Sequence, residues 1–467
     1  MRKNENEMSD LNIANIFQVN FISAGICNLQ CKFCFLYKNE AYKMFNNEVR
    51  EAWQSGSYVE NVKKVFERLE ADPARVKALE FWGGETLLQI KDITPNLKSL
   101  FRFFPFVDTI RVSTNWCINV QDFIDFLVEL DSVLKSPLNF RLQLSIDGLS
   151  GDPLTTGHYG SVEVYKRNIR EFCNFFNNHK FKNVFVSIFI NANVKKDVYF
   201  REFSTVDGIK RYIEEMSDFC NEISDMCISD KITFNMSTVL PGYALPTLDT
   251  VEDGLEYSRI LNLWNYVYYS YFANNPKYNI DSSTYFMLGS SSIKPDPCFR
   301  ENPECSELAC SRTILPDGTI VCCSGAFIYG KDYSEKLLLK EGRTELASQG
   351  RMFKRLEYNP INCSDEDIEN IEWYINTGLK KNNKTHLNYN FALAKELARA
   401  GQISREYLMD DDLLLNHVII LSNFNACHKE NILLSNTYWL NSPGVFRRYL
   451  NGALQSQIGG YLNYEEN

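Results

Sequence analysis

Three cysteines near the start of the chain have the residue type and the spacing to bind a metal cluster. Cys27, Cys31 and Cys34 follow the pattern C-x3-C-x2-C. Three thiolates can hold three irons of a [4Fe–4S] cubane and leave the fourth iron open to the amino and carboxylate groups of a small ligand. A structural zinc site wants four ligands, and no cysteine or histidine follows Cys34 within the next eighty residues. The spacing therefore favours an iron–sulfur cluster over a zinc knuckle or a chance grouping.

Glycines and polar residues follow several strand-like segments further along the chain. Gly83 and Gly84 would let the main chain approach a ligand closely, and the Glu85 carboxylate suits an ammonium partner. Polar residues also stand at the ends of later strand candidates: Ser113, Asn115, Ser145, Asp147, Asn191 and Asn193. Turn formation and strand-end capping explain each of them singly. Their shared position favours one ligand site at the carboxyl ends of the strands.

A second group of cysteines surrounds a predicted β-hairpin. Its members are Cys298, Cys305, Cys310, Cys322 and Cys323. Arg312–Leu315 and Thr319–Cys322 flank Pro316-Asp317-Gly318, which is a strong turn sequence. Folding about this turn brings Cys310 close to Cys322 or Cys323. Adjacent residues of a strand point to opposite faces, so only one of the last two is an easy ligand. We expect these cysteines to bind a second iron–sulfur cluster, with a zinc site or buried structural cysteines as the alternatives.

The elements that must position these residues form an α/β series. Six strand candidates lie at Ile16–Ser23, Lys77–Trp82, Thr109–Ser113, Asn139–Ile146, Asn183–Asn191 and Lys231–Thr238. Apolar residues at helical spacing lie between several of them, at 62–69, 123–134 and 162–176. Such alternation predicts a parallel sheet.

The strand candidates carry a polar face as well as an apolar one. Phe140, Leu142 and Leu144 alternate with polar residues in the fourth strand. A parallel sheet covered by helices on both faces would instead be almost continuously apolar. The pattern favours a partial (β/α)6 TIM-like barrel of about six strands, with a polar lumen, over a doubly wound sheet.

We divide the chain into five segments. Residues 1–15 form a polar tail, 16–240 the partial barrel, 241–297 a bridging helical segment, 298–330 a small cysteine-rich hairpin domain, and 331–467 a mostly helical region. Only 26 residues precede Cys27, so we expect no N-terminal domain for capturing a leader peptide.

Composition limits the location and the partners. The net charge of −10 makes nucleic acid a poor partner, and no apolar run approaches the roughly 20 residues of a membrane span. Met1–Asp10 lacks the apolar centre of a secretory signal. We therefore expect a cytoplasmic protein that binds no membrane. Disulfides are rare in that compartment, so the crowded members of its fourteen cysteines indicate metal binding.

Over roughly residues 15–240 the chain resembles the radical S-adenosylmethionine (SAM) superfamily. Phe33 supplies the aromatic residue before the last cysteine of that family's motif, and Gly83-Gly84-Glu85 is similar to its GGE motif. The resemblance implies that the cluster on the three cysteines binds SAM, whose amino group the GGE main chain and carboxylate engage. It also implies contacts to the ribose or carboxylate of SAM from four further residues: Ser113, Asn115, Ser145 and Asp147. Asn193 is a weaker candidate for the same lumen.

The resemblance implies a reaction as well. An electron donor such as flavodoxin or ferredoxin would reduce the cluster, which would cleave SAM to methionine and a 5′-deoxyadenosyl radical. That radical would take a hydrogen atom from the substrate.

The second cysteine group resembles the start of the SPASM and Twitch auxiliary-cluster domains. Cys305, Gly318 and Cys323 match the family spacing of a cysteine, a gap of 9–15 residues and G-x4-C, whereas the gap after Cys310 is too short. The later SPASM cysteines are missing, since only isolated Cys363 and Cys427 follow. The resemblance therefore implies one auxiliary iron–sulfur cluster.

Relatives with such extensions commonly modify peptides or proteins, which is the activity we expect. A radical SAM enzyme acting on an alcohol, sugar or cofactor precursor is the alternative. A non-catalytic electron carrier or iron–sulfur sensor would leave Gly83-Gly84-Glu85 unexplained.

Overall fold

A computed structural model describes part of the chain. The described residues are 16–29, 40–146, 162–192, 203–227, 229–237, 311–321, 357–373 and 404–411, together with 263, 267, 270, 271, 394, 395, 398, 399, 401 and 414. The chain divides into two compact units. The first contains Met1–Val194, Glu214–Val239 and Ile293–Lys381, and the second contains Lys195–Ile213, Leu240–Ser292 and Asn382–Asn467.

All six predicted strands are confirmed, with ends that differ by at most two residues. The eight strands of the sheet are β1 (Gln18–Ala24), β2 (Ala78–Gly83), β3 (Thr109–Thr114), β4 (Leu138–Ile146), β5 (Val184–Ala192), β6 (Ile232–Ser237), β7 (Ser311–Ile314) and β8 (Ile320–Val321). Their spatial order is β6-β5-β4-β3-β2-β1-β7-β8, and only the β7–β8 pair is antiparallel. The prediction of an α/β protein with a mostly parallel sheet is therefore confirmed.

The sequential order of β1 to β6 explains where the helices go. Each crossover leads to the next neighbour in the same direction, and right-handed crossovers of this kind place their helices on one face. A doubly wound sheet would reverse its order at an internal strand. Within the described residues the sheet does not close, since β6 and β8 are its two edges.

Eight helices are described. They are α1 (Glu40–Ser55), α2 (Ser57–Arg68), α3 (Ile90–Ile93), α4 (Leu97–Phe103), α5 (Val120–Val133), α6 (Val162–Asn178), α7 (Val206–Met226) and α8 (Asp365–Trp373). The helices predicted from apolar spacing are confirmed as α2, α5 and α6. Short 3-10 turns lie at Pro73–Arg75, Thr86–Gln89, Thr94–Asn96 and Arg405–Leu408. None of the described helices has both the length and the apolar character needed to span a bilayer.

Along β3 and β4 the two faces of the sheet differ in burial as the sequence alternation predicts, whereas β1 and β7 are buried on both faces. Phe140, Leu142 and Leu144 are fully buried, whereas Arg141 and its polar neighbours along β4 are half-buried. The apolar residues stabilise the packing of helices on one side, and the polar residues line the other side.

An aromatic cluster joins the first helices to the sheet. Phe21 of β1 stacks on Phe81 of β2 at 5.2 Å, and Trp53 of α1 lies 4.5 Å from Tyr58 of α2. The Tyr58 hydroxyl accepts from the main-chain N–H of Ile22 at 3.1 Å and donates to the carbonyl of Ile314 at 2.5 Å. One buried side chain thus connects β1 to β7.

The predicted hairpin is confirmed, but its place in the fold was not predicted. β7 and β8 pair around a turn in which Gly318 N–H donates to the carbonyl of Leu315 at 2.9 Å. β7 also pairs in parallel with β1, so the hairpin extends the main sheet. Arg312 and Glu372 of α8 form a buried ion pair of 2.7 Å. All five cysteines of the second group lie outside the described residues.

One pair of cysteines departs from the expectation of reduced thiols. Cys173 of α6 and Cys227, which directly follows α7, form a disulfide with their Cα atoms 5.3 Å apart. They are 54 residues apart, so no spacing rule in the sequence could pair them. Cys363, between the hairpin and α8, is a free cysteine.

The second unit is described only at a few positions. Phe203 and Tyr212 meet edge to face at 4.9 Å, and the Lys210 ammonium lies 3.5 Å from the ring centroid of Tyr271. The predicted bridging segment 241–297 lies almost wholly outside the described residues. In the predicted helical region 331–467, α8 and the turn Arg405–Leu408 are helical.

Candidate functional site

The predicted site residues that the structure describes lie at one edge of the sheet. Cys27 follows β1 by three residues, Gly83 ends β2, Asn115 directly follows β3, and Ser145 lies near the end of β4. Parallel strands bring their carboxyl ends to the same edge. Five other residues predicted for this edge lie outside the described ranges, as the second cysteine group does: Cys31, Phe33, Cys34, Asp147 and Asn193.

The glycine pair binds the cysteine loop through its main chain. Gly84 N–H donates to the carbonyl of Ala24 at 2.9 Å, and Glu85 N–H donates to the carbonyl of Ile26 at 2.7 Å. A Cβ atom on Gly84 would lie 2.1 Å from the Ile26 oxygen, so no other residue fits there without moving the loop. Gly83 has a φ of 147°, a conformation that favours glycine. These glycines therefore set the position of the loop that carries Cys27.

The Glu85 side chain connects β2 to β3. Its carboxylate is 1% exposed and accepts from the Leu87 N–H at 3.1 Å, the Thr114 hydroxyl at 2.7 Å and the Asn115 N–H at 2.7 Å. The resemblance implies an ammonium partner for this carboxylate. In the structure, donors of the chain itself occupy it.

Burial controls the electrostatics of Glu85. It raises the pKa of the carboxyl to about 7, even though the bonds from Asn115, Thr114 and Leu87 favour the ionised form. All three are neutral donors. The charge of Glu85 is therefore stabilised by dipoles alone.

Asn115 contacts the cysteine loop. Its Nδ2 lies 3.6 Å from Cys27 Sγ and donates to Asn28 Oδ1 at 2.8 Å, and its Oδ1 accepts from the Cys117 N–H at 2.8 Å. The Leu29 N–H also points at Cys27 Sγ, at 3.4 Å. Two N–H donors therefore face this sulfur, and such donors would stabilise the negative charge of a thiolate. The resemblance implies that Asn115 contacts SAM, whereas the structure places its side chain on Cys27 and Asn28.

A strained residue holds Asn115 in this position. Trp116 has a φ of 57°, which is unfavourable for a bulky side chain, and it is fully buried. Its carbonyl accepts from Asn168 Nδ2 at 2.8 Å, and its ring packs edge to face on Phe123 and Phe172. Such strain persists where the surroundings over-determine the conformation, and it concentrates at functional sites.

Two predicted hydroxyl contacts lie on the polar face of the sheet. Ser113 and Ser145 are half-buried, and neither has a hydrogen-bond partner within the described residues. Gln143 of β4 is the register partner of Ser113 and is also half-buried. These positions can offer hydroxyl groups to a polar ligand.

Three residues of the site were not predicted from the sequence: Asn28, Thr114 and Trp116. Thr114 occupies an apolar position in the alternation of β3, and its partner Glu85 lies 29 residues away. The sequence Asn115-Trp116 does not match a typical turn sequence, so the conformation of Trp116 was not predictable. Asn28 could have been selected, because an amide directly after Cys27 is placed to contact the same loop.

The described part of the loop fits a thiolate ligand. The Cys27 thiol is exposed and has N–H donors beside its sulfur. The described residues contain no group of three or more His, Cys, Asp or Glu side chains arranged to hold a metal. Since Cys31 and Cys34 lie outside the described ranges, Cys27 is the one predicted cluster ligand with a described position.

The chain was also compared with known proteins. No family model matches it, and no curated protein gives a significant match.

Proposed function

We propose that the chain is a radical SAM enzyme in which Cys27, Cys31 and Cys34 hold a [4Fe–4S] cluster with one open iron for SAM. One observation carries the proposal. The loop of Cys27 and the Gly83–Glu85 segment are joined by main-chain hydrogen bonds at the carboxyl edge of a parallel sheet. The proposed metal ligand Cys27 and a close-approach glycine segment thus meet where parallel α/β proteins bind their ligands.

We also propose that the sheet is the partial (β/α)6 barrel of that family. The sequential order of six parallel strands supports this assignment, and so does the polar, half-buried face opposite the apolar one. In a barrel that face lines the lumen, where a cofactor and a substrate would bind.

The chain's own residues prepare the site. Cluster and SAM, when bound, supply reductive cleavage of SAM to a radical that removes a hydrogen atom from the substrate. Leu29 N–H and Asn115 Nδ2 stabilise negative charge on Cys27 Sγ. Ser113 and Ser145 offer hydroxyl groups to the ribose or carboxylate of SAM.

Glu85 acts in this proposal as a positioning residue. Its carboxylate fixes the end of β3 against the glycine segment, and its main-chain N–H fixes the cysteine loop. The main chain of Gly83 and Gly84 is then the part of the motif that can approach the amino group of SAM.

The substrate we propose is a peptide or protein, with flavodoxin or ferredoxin as the electron donor. The second cysteine group would hold one auxiliary cluster, with Cys305 and Cys323 as ligands. The register of β7 beside β1 supports a link between this segment and the rest of the sheet.

The central test removes the three thiolates. Wild type, reconstituted anaerobically, should bind about four irons at the three cysteines. On reduction with dithionite it should release 5′-deoxyadenosine from SAM. The triple variant Cys27→Ala, Cys31→Ala, Cys34→Ala should lose the release completely. Cys363→Ala, which removes a free cysteine of the hairpin region, should retain it. Cleavage of SAM by the triple variant would contradict the proposal, and an electron carrier would release no 5′-deoxyadenosine in any form.

A second experiment tests the substrate. Reduced enzyme is incubated with short peptides or with small alcohols and sugars, and the products are examined by mass spectrometry. Mass changes in peptides support the proposal. Changes confined to the small molecules would replace it with the alternative substrate class.

A further inference from the structure

One row of polar residues crosses the polar face of the sheet in register. It takes one residue from each of six adjacent strands: Thr313, Asn20, Glu80, Arg111, Arg141 and Ser187. The two arginines are direct register partners on β3 and β4. Neighbouring strands lie about 4.8 Å apart, so the two side chains start side by side.

The row holds two positive charges and one negative charge. Gln18 joins Glu80 to Arg111, because its Nε2 donates to Glu80 Oε2 at 2.8 Å and its Oε1 accepts from Arg111 Nη1 at 2.9 Å. Arg141 has no hydrogen-bond partner among the described residues, and its guanidinium lies 5.8 Å from the ring centroid of Phe189. Among the described residues, Arg141 therefore has no carboxylate at ion-pair distance, although the charge of Asp108 acts on it from further away.

The guanidinium groups have donors that the chain does not use. The Nε atoms of Arg111 and Arg141 are both buried and lack an acceptor within the described residues. An arginine presents five N–H donors in a planar fork that matches the two oxygens of a carboxylate or phosphate. Leaving buried donors unpaired is unfavourable, and an oxyanion between the two forks would supply the acceptors. Burial and then the charge of Arg111 lower the pKa of Arg141, and the charge of Asp108 opposes them; a bound anion would add to the effect of Asp108 and favour the charged guanidinium.

The row lies on the amino-terminal side of the proposed cofactor site, along β3 and β4. Arg111 precedes Asn115 by four residues, and Arg141 precedes Ser145 by four residues. Four residues of strand span about 13 Å at roughly 3.3 Å per residue. A ligand anchored on the arginines can therefore extend along the polar face toward the carboxyl edge.

We infer that Arg111 and Arg141 bind an anionic group, a carboxylate or a phosphate, at the end of the substrate remote from the reacting carbon. That this anion belongs to the substrate rests on the proposed function. The anion site itself does not, because it consists only of side chains of the sheet.

The test uses the full-length chain without cluster or SAM, so its failure is separate from failure of the radical chemistry. Inorganic phosphate and acetate are titrated separately by calorimetry at constant ionic strength, with chloride as the balancing anion. Wild type should bind at least one of them saturably, and the tighter of the two identifies the anion. Arg141→Gln should weaken that binding about tenfold or more. Arg170→Gln, which removes an exposed arginine of α6, should leave it unchanged.

A second variant guards against loss of fold. Arg141→Lys keeps the charge but loses the fork, and should bind several-fold more weakly than wild type while its circular dichroism spectrum is unchanged. The inference is overturned if wild type binds neither anion saturably. Equal affinity in wild type and Arg141→Lys, or equal weakening in Arg141→Gln and Arg170→Gln, would overturn it as well.

Discussion

Two regions of the molecule bury a glutamate side chain to the same extent, but they stabilise it in different ways. Glu85, at the carboxyl edge, and Glu372, behind the hairpin, are each 1% exposed. Glu372 Oε2 accepts from Arg312 Nη2 at 2.7 Å, and its Oε1 accepts from the Tyr358 hydroxyl. Glu85 accepts from neutral donors only. A cation thus compensates one buried charge, and dipoles compensate the other.

The difference corresponds to what each region does. The ion pair of the hairpin fixes β7 beside β1, and a buried pair of this kind is costly to break because the remaining charge stays buried. The Glu85 network orients two main-chain segments of the candidate site, and the raised pKa of Glu85 makes this network sensitive to pH. An ion pair therefore stabilises the position of the hairpin, and neutral hydrogen bonds orient the main chain at the candidate site.

The largest change in the free energy of unfolding is expected for the ion pair behind the hairpin. Glu372→Gln leaves Arg312 buried without its anion and should lower the free energy of unfolding by about 3–5 kcal/mol. The control is Asp365→Asn, which breaks the exposed pair with Arg68, where the carboxylate is 82% exposed. That change should cost less than about 1 kcal/mol. Urea unfolding measures both, and equal losses would contradict the contrast between the two regions.

The second effect is a pH dependence that comes from Glu85. Burial raises its pKa from 4.5 to about 7, so between these values the folded state holds a proton that the unfolded state has released. Its contribution to stability is therefore fully present below pH 4.5 and is lost as the pH rises through about 7. The loss is roughly 3 kcal/mol.

Glu85→Gln removes this titration and isolates it from all other groups. The stability advantage of wild type over the variant should decrease by that amount between pH 4.5 and pH 7.5, as measured by urea unfolding at each pH. A difference that does not change with pH would show that folding does not raise the pKa of Glu85.

The third effect concerns the close approach at Gly84. Gly84→Ala forces a Cβ atom against the Ile26 carbonyl and should cost about 1–3 kcal/mol, together with loss of iron from the reconstituted protein. Asn119→Ala removes the N-cap of α5 and should cost about 1 kcal/mol with full iron content. Iron content that falls equally in both variants would indicate a general loss of stability instead.

The smallest effect sharpens the role of Asn115. Asn115→Leu removes one N–H donor from Cys27 Sγ and should lower the reduction potential of the cluster, because the donor stabilises the more negative reduced state. The expected shift is roughly 60 mV or less, a tenfold change or less in the one-electron equilibrium. A redox titration followed by electron paramagnetic resonance measures it, with Asn119→Leu as the control. An unchanged potential would leave Asn115 with a role in loop position alone.

The sequence by itself determined the local elements of this protein. Alternation of Phe140, Leu142 and Leu144 with polar residues predicts both the strand and its two unlike faces, because successive side chains of a strand point in opposite directions. The turn at Asp317-Gly318 and the glycines of the GGE segment are predictable for a similar reason, since few residue types adopt such backbone conformations. The cysteine spacing predicts a cluster ligand, and it places Cys27 just past the end of β1.

Only the tertiary structure decided which distant residues meet. Glu85 contacts Thr114, Asn115 contacts Cys27, and β7 pairs with β1 across nearly 300 residues of sequence. The disulfide between Cys173 and Cys227 and the pairing of Arg111 with Arg141 are decided in the same way. Periodicity reports the face on which a residue lies, but the register and order of strands select its partner on that face. The register and the order of the strands are set by the packing of the whole sheet, which no local pattern encodes.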